Sequence, residues 1–294
     1  MTPAPLPLNF DLVIVVTAVF VAWACGLLGL FLVLRREALL SDAISHSALP
    51  GIVAGYWVTG GSLATMPALV GASLFGLVTV GLTALLTRSG RVKADAALGL
   101  VFPALFAAGV IAVSLNYSNV HLDLDAVLYG EIAYTPFRTG WLGLPVAWLL
   151  MGGMLLVNAL FVGLLFKELR LSTFDPGLSR TLGFSPALIG GALLTLVALT
   201  TVAAFDAVGA VLVVAFMIVP PATALLLTRR LRQALGLTLL AGLTASVVGY
   251  TVALALDASI TGVIAGVLGV QFTVALAGQA VRARRVRGRA TLGG

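Results

Sequence analysis

The sequence predicts an all-α protein, a polytopic transmembrane helical bundle of eight to nine spans. Three observations predict it. Of the 294 residues, 60% are hydrophobic and only 10% are charged, and the mean hydropathy is +1.13. The apolar residues fall in repeated runs of about 20, the length that crosses a hydrocarbon core about 30 Å thick. The basic residues cluster at alternate ends of those runs, as the sidedness of membrane insertion requires.

Nine runs qualify in chain order: Leu12–Leu34, Leu40–Val58, Met66–Leu86, Ala96–Leu115, Trp141–Phe166, Ser185–Phe205, Val208–Leu227, Leu235–Leu256 and Ile260–Ala280. The sixth and seventh are separated only by Asp206 and Ala207. That junction is either a tight turn or the start of a short, partly inserted helix, so eight spans plus a broken segment is the alternative. Residues 1–294 read as a single transmembrane domain with no soluble appendage. No cleavable signal peptide is expected, because the start lacks a basic n-region and the first apolar run is too long. Cys25 is the single cysteine, so no intrachain disulfide is possible.

Sixteen of the seventeen basic residues share one side: Arg35 and Arg36; Arg88, Arg91 and Lys93; Lys167, Arg170 and Arg180; Arg229, Arg230 and Arg232; and Arg282, Arg284, Arg285, Arg287 and Arg289. Only Arg138 falls on the other, which carries Asp11, Asp123, Asp125, Glu131, Asp206 and Asp257. The positive-inside rule then puts the C-terminus in the cytoplasm and the N-terminus outside. The net charge of +6 is accounted for by topology and gives no reason to invoke nucleic acid. The basic tail, about residues 281–294, reads as a stop against anionic membrane lipid.

Two connections are long. The outer one, about Asn116–Gly140, is polar and acidic. The inner one, about 167–186, reads KELRLSTFDPGLSRTLGFSP. Asp175-Pro176 is a helix-start signal, with Asp as N-cap and Pro at the first helical position, and Gly183 is a stop. A short cytoplasmic surface helix over Asp175–Gly183 is expected, the alternative being an ordinary amphipathic connector.

The chemistry concentrates in Arg35–Gly51, RREALLSDAISHSALPG. Asp42 and His46 are four residues apart, on one helical face. Ionisable groups inside a span are costly and mark a pathway or a paired site. Carboxylate with imidazole is a mixed O/N donor pair that suits Mn²⁺, Zn²⁺ or Fe²⁺ better than Mg²⁺ or Cu⁺. Ligation needs a neutral imidazole and an ionised carboxylate, so binding is expected to weaken on acidification. The competing reading is a buried ion pair that only joins helices. Pro50 frees the main-chain carbonyl of His46, and Pro220 and Pro221 free those of Phe216 and Met217. Such carbonyls line ion sites in broken transporter helices, although a simple kink is the commoner role. Ser41, Ser45 and Ser47 are expected to satisfy helix backbone or neighbouring helices. His121 near Asp123 and Asp125 has the look of an exposed metal cluster, but a solvated loop is the commoner reading. No GxSxG, HExxH or phosphate loop is present, so the chain is not expected to be an enzyme, and any ATP must be bound by a partner.

These stretches resemble the zinc/manganese/iron ABC-transporter permease family, the ABC-3 type. LGLFLVLRREALLSDAISHSALPG is similar to its signature, with Ser41 where Gly is common. FKELRLSTFDPGLSRTLGFSP resembles its cytoplasmic coupling segment. VGAVLVVAFMIVPPATALLLT resembles its late Pro-Ala-Ala-Thr-Ala stretch, with Pro221 where Ala is common. LDAVLYGEI (Leu124–Ile132) resembles its Leu-Phe-Gly loop, with Tyr129 for Phe. The resemblance implies a type II-like importer permease in a bacterial cytoplasmic membrane. It implies a homodimer, working with cytoplasmic ABC ATPase subunits and an extracytoplasmic metal-binding protein. It makes Asp42 and His46 the pathway ligands for the transported metal. It makes Phe174, Asp175, Pro176, Leu178 and Gly183 the contact to the ATPase, and it implies no tightly held cofactor. The rival readings are a secondary metal transporter independent of ATP, for which no internal repeat is found, and an ABC permease for a metal chelate.

Overall fold

A computed structural model describes residues 9–59, 65–116, 132–140 and 143–290. Among them the chain is helical throughout, with an isolated bridge between Thr139 and Pro145 as its extended pairing. The long helices are α1 (Phe10–Arg35), α2 (Leu40–Val58), α3 (Thr65–Arg88), α4 (Ala94–Asn116), α5 (Val146–Leu164), α8 (Pro186–Val208), α9 (Ala210–Leu227), α10 (Leu231–Leu256) and α11 (Ile260–Ala290). Between α5 and α8 lie two short helices, α6 (Phe166–Phe174) and α7 (Pro176–Thr181). A 3-10 turn, Ile132–Phe137, precedes α5.

Eight of the long helices are apolar enough to cross a membrane, and α2 is the exception. Its polar residues Ser41, Asp42, Ser45, His46 and Ser47 lower its hydropathy, yet it is one of the interior helices, flanked by α3, α4 and α8. An apolar exterior with a polar strip indoors is what a transport helix needs, because lipid-facing ionisable groups are costly.

The core is built on α1. Leu28, Leu30, Phe31 and Leu32 are fully buried, and α5, α8, α9 and α10 pack around them. Exposed apolar side chains run along the outer helices, among them Leu74 and Leu85 of α3, Leu100 and Ile111 of α4, and Leu156 and Leu160 of α5. Close crossings rely on glycine. A Cβ at Gly51 of α2 would strike the Gly71 carbonyl of α3, and one at Gly71 would strike the Gly51 carbonyl in return. Without side chains there, the two backbones touch, as in small-residue membrane interfaces.

Several boundaries differ from the sequence expectation, each for a local reason. The fifth span begins at Val146, not Trp141, because Gly143 adopts φ +69 and Pro145 caps the helix. Phe166 falls in α6, beyond a break at Leu165. The helix runs through Asp206 and Ala207, and the junction falls instead at Gly209, with φ +78. An L-side chain would be strained in that conformation. The ninth helix continues past the expected Ala280 to Ala290, while its apolar span ends at Val281.

Helix ends alternate between two sides. On one, Tyr250 donates to Asp11 Oδ1 at 2.6 Å, and Arg138 pairs with Asp206 at 3.2 Å. On the other, Arg35 reaches Ser172 and Thr173. Arg138, the lone exception to the basic asymmetry, is thus matched by a carboxylate.

Candidate metal pathway and coupling segment

Asp42 lies in the first turn of α2 and His46 one turn on. His46 Nε2 is 3.5 Å from Asp42 Oδ1, and the two side chains are 34% and 43% exposed. The separation is long for a hydrogen bond, and the exposure is far from that of a buried structural ion pair. The imidazole is walled by α4: the Phe102 ring is stacked with it at 5.8 Å and the Phe106 ring meets it edge-on at 6.0 Å. The apolar rings hold the imidazole plane and leave the Asp42–His46 edge open. Phe102 and Phe106 were not singled out in the sequence. Their i, i+4 spacing marks a common face, but nothing in it names His46 as the partner.

The serines behave as expected. Ser41 Oγ donates to Ala38 O at 3.2 Å, Ser45 Oγ to Ser41 O at 3.0 Å and Ser47 Oγ to Ile44 O at 3.0 Å. Thr79 of α3 donates to Ser47 Oγ at 2.7 Å. Pro50 stays inside α2 and packs against Gly109 of α4, where a Cβ would lie 2.9 Å from its ring.

Pro220 and Pro221 do not expose an ion site. Phe216 and Met217 are completely buried, and the Met217 carbonyl oxygen lies against Gly29 of α1, in the space a Cβ would fill. The freed carbonyl serves close packing of α1 on α9. His121, Asp123 and Asp125 lie outside the described residues, as does most of the Leu124–Ile132 loop. Among the described residues no group of three or more His, Cys, Asp or Glu side chains converges. Among the described residues the Asp42–His46 pair thus stands without a third such side chain beside it.

On the other side of α1 the inner connection folds as two helices. Asp175 caps α7, its Oδ1 accepting from Leu178 N at 2.9 Å, with Pro176 at the first position. Gly183 takes φ +86, and Phe184 N donates back to Ser179 O at 3.0 Å, a Schellman-type stop. Phe174, Leu178 and Leu182 are exposed, so α7 presents an apolar tip. The preceding α6 has no strong cap and was missed in the sequence. Beside it, Phe166, Arg170, Phe174 and Arg229–Gln233 line a cavity of about 550 Å³, where the Arg232 guanidinium lies 5.7 Å over the Phe166 ring.

The architecture is that of a multi-pass helical membrane protein, with an Asp/His pair on an interior helix and a capped short helix on its basic side. The family model described as "ABC 3 transport family" matches residues 9–279, and the chain belongs to that family. It is 50% identical over 265 residues to the zinc transport system membrane protein TroD of Treponema pallidum, covering 89% of this chain and 72% of that one. It is 44% identical over 272 residues to the manganese transport system membrane protein MntD of Bacillus subtilis, covering 91% and 92%. Among solved structures it is similar to PsaBC from Streptococcus pneumoniae in complex with Fab, with a TM-score of 0.74, 27% identity and coverage of 92% and 91%.

Proposed function

We propose that this chain is the membrane-spanning permease of an ATP-driven importer for a divalent transition metal, Mn²⁺, Zn²⁺ or Fe²⁺, with Asp42 and His46 as its pathway ligands. The observation that carries this reading is the half-open Asp42–His46 pair, walled by Phe102 and Phe106 on an interior helix. The zinc and manganese systems named for its relatives support the cargo class. Two ligands fall short of the four to six that such ions take. Either a second copy across a two-fold axis contributes its own pair, or water completes a looser site in each chain. Both leave a site weak enough to release metal when helices part. A secondary transporter is disfavoured by the family, and a chelate pathway would not need the pair.

In this reading a cytoplasmic ATPase engages α7 through Phe174, Asp175, Pro176, Leu178 and Gly183, and an extracytoplasmic protein delivers metal to the opposite face. The permease itself performs no bond chemistry. Asp42→Ala and His46→Ala should each abolish uptake of radiolabelled Mn²⁺ or Zn²⁺, a loss beyond the roughly 10- to 100-fold that removing even an outer-shell partner of a metal ligand costs, with normal membrane insertion. Wild-type uptake by His46→Ala would reduce the pair to packing and overturn the proposal.

A further inference from the structure

We propose that Arg35 is the strut through which the α6–α7 segment moves the metal-bearing helix α2. This positioning role rests on the reading of α7 as the ATPase dock. Arg35 is the last residue of α1. Its Nε donates to Thr173 Oγ1 at 3.1 Å and its Nη2 to Ser172 Oγ at 2.9 Å. Ser172 Oγ in turn donates to Leu169 O at 3.2 Å, which holds that acceptor in place. Both acceptors sit in the last turn of α6, which ends at Phe174, next to the Asp175 cap of α7. The guanidinium is confined on another side by α8. A Cβ at Gly190 would stand 2.8 Å from Arg35 Nη1, so the absence of a side chain there leaves room for it. One planar fork with fixed donor directions thus ties α1 to α6 while packing against α8, a task a lysine ammonium performs less specifically.

On its other side Arg35 leads straight into α2. Arg36 is left-handed, with φ 61, and its N–H bonds back to Leu32 and Val33. Glu37 N donates to Leu32 O at 2.9 Å, and Leu40 N to Glu37 O at 3.0 Å. The link from Arg35 to the start of α2 at Leu40 is therefore short and hydrogen-bonded, and it ends one residue before Ser41 and two before Asp42. The principal contacts of α6 are with α1, α5, α7 and α8, and those of α7 are with α6 and α8. Motion of the docking segment can reach α2 by packing through α8, which touches both α6 and α2, and through α1, where the Arg35 fork supplies the hydrogen-bonded connection. Coupling claims need a physical element that both sites bias, and the Arg35 fork, engaged with or released from α6, is that element.

The test measures metal moved per ATP hydrolysed, in vesicles holding the permease assembled with its ATPase and metal-binding protein, using radiolabelled Mn²⁺. Three variants break the strut by different routes. Arg35→Ala removes the fork. Ser172→Ala combined with Thr173→Val removes its acceptors. Gly190→Ala displaces the guanidinium while keeping every polar group. Each should lower Mn²⁺ per ATP by about tenfold, within the range of typical coupling energies, with ATP hydrolysis within about twofold of wild type. Arg35→Lys should recover part of the loss. If Arg35→Ala fails to fold, the other two variants decide. An unchanged ratio in those variants overturns the proposal. So does a parallel fall of uptake and hydrolysis, which is the behaviour of a staple that only holds the fold. The docking premise is read separately, from ATP hydrolysis after replacement of α7, so failure of the strut is distinguishable from failure of the premise it rests on.

Discussion

Glu37 lies between the Arg35 strut and the Asp42–His46 pair. Its carboxyl is pushed above the usual carboxylate range by burial, with the neighbouring positive charge of Arg35 opposing the shift. Its Oε2 is buried and accepts no hydrogen bond from the described residues, and it lines a cavity of about 400 Å³ together with Thr83, Thr87, Arg88 and Asp95. The native state thus favours the protonated acid. For an acid with a raised folded pKa, this contribution is fully present below the unfolded value, about 4.3. It is lost as pH rises through the folded value, beyond which the fold carries a desolvated charge. Glu37→Gln removes the titration. The variant is expected to melt a few degrees above wild type in detergent at pH 8, with the gap closing towards pH 4. A gap independent of pH would show that Glu37 ionisation does not weigh on the fold. This environment was not legible in the sequence, where Glu37 is one charged residue in a basic turn. Its burial depends on α3 and α4, which come from later in the chain. Asp42 and His46 were legible because their spacing alone puts them on one face.

At the scale of elements, local chemistry was legible and long-range packing was not. The Asp175 cap, Pro176 at the first position and Gly183 at positive φ came out of adjacent residues, because a cap is satisfied within one turn. Helix α6 was missed because FKELRLSTF lacks a start signal. It is held instead by Arg35 from α1 and by packing on α8. The two readings of Pro220 and Pro221, ion-site carbonyls or simple kinks, were open in the sequence for the same reason. A freed carbonyl is a local fact, but its burial against Gly29 is a tertiary one. The docking helix carries its own prediction. Replacing Asp175–Gly183 with a Gly/Ser linker removes the cap, the stop and the exposed Leu178 and Leu182. Metal-dependent ATP hydrolysis in reconstituted vesicles should then fall to the level of the ATPase alone, while α1–α5 and α8–α11 keep their helicity. Unchanged stimulation would place the ATPase contact elsewhere on the basic side.

For the whole molecule, the alternation of helix ends gives sidedness, and the charges give direction. The pairs Tyr250–Asp11 and Arg138–Asp206 close one side, and the Arg35 cluster closes the other. This agrees with nine alternating crossings and with the division of basic residues in the sequence. It counts α2 as a crossing, as both the apolar run Leu40–Val58 and the loop charges implied, although its polar strip keeps it out of the eight most apolar helices. If the basic side is cytoplasmic, the chain starts outside and ends inside, with α7 on the side of ATP. Cysteine labelling can check this cleanly, because the only native thiol, Cys25, is fully buried in α1. In intact cells, Asn9→Cys and Asp257→Cys should react with a membrane-impermeant maleimide. Leu178→Cys and Ser89→Cys should react only after permeabilisation, since both lie at the opposite ends of the helices. Labelling of Leu178→Cys in intact cells would invert the topology, and with it the assignment of α7 to the ATPase.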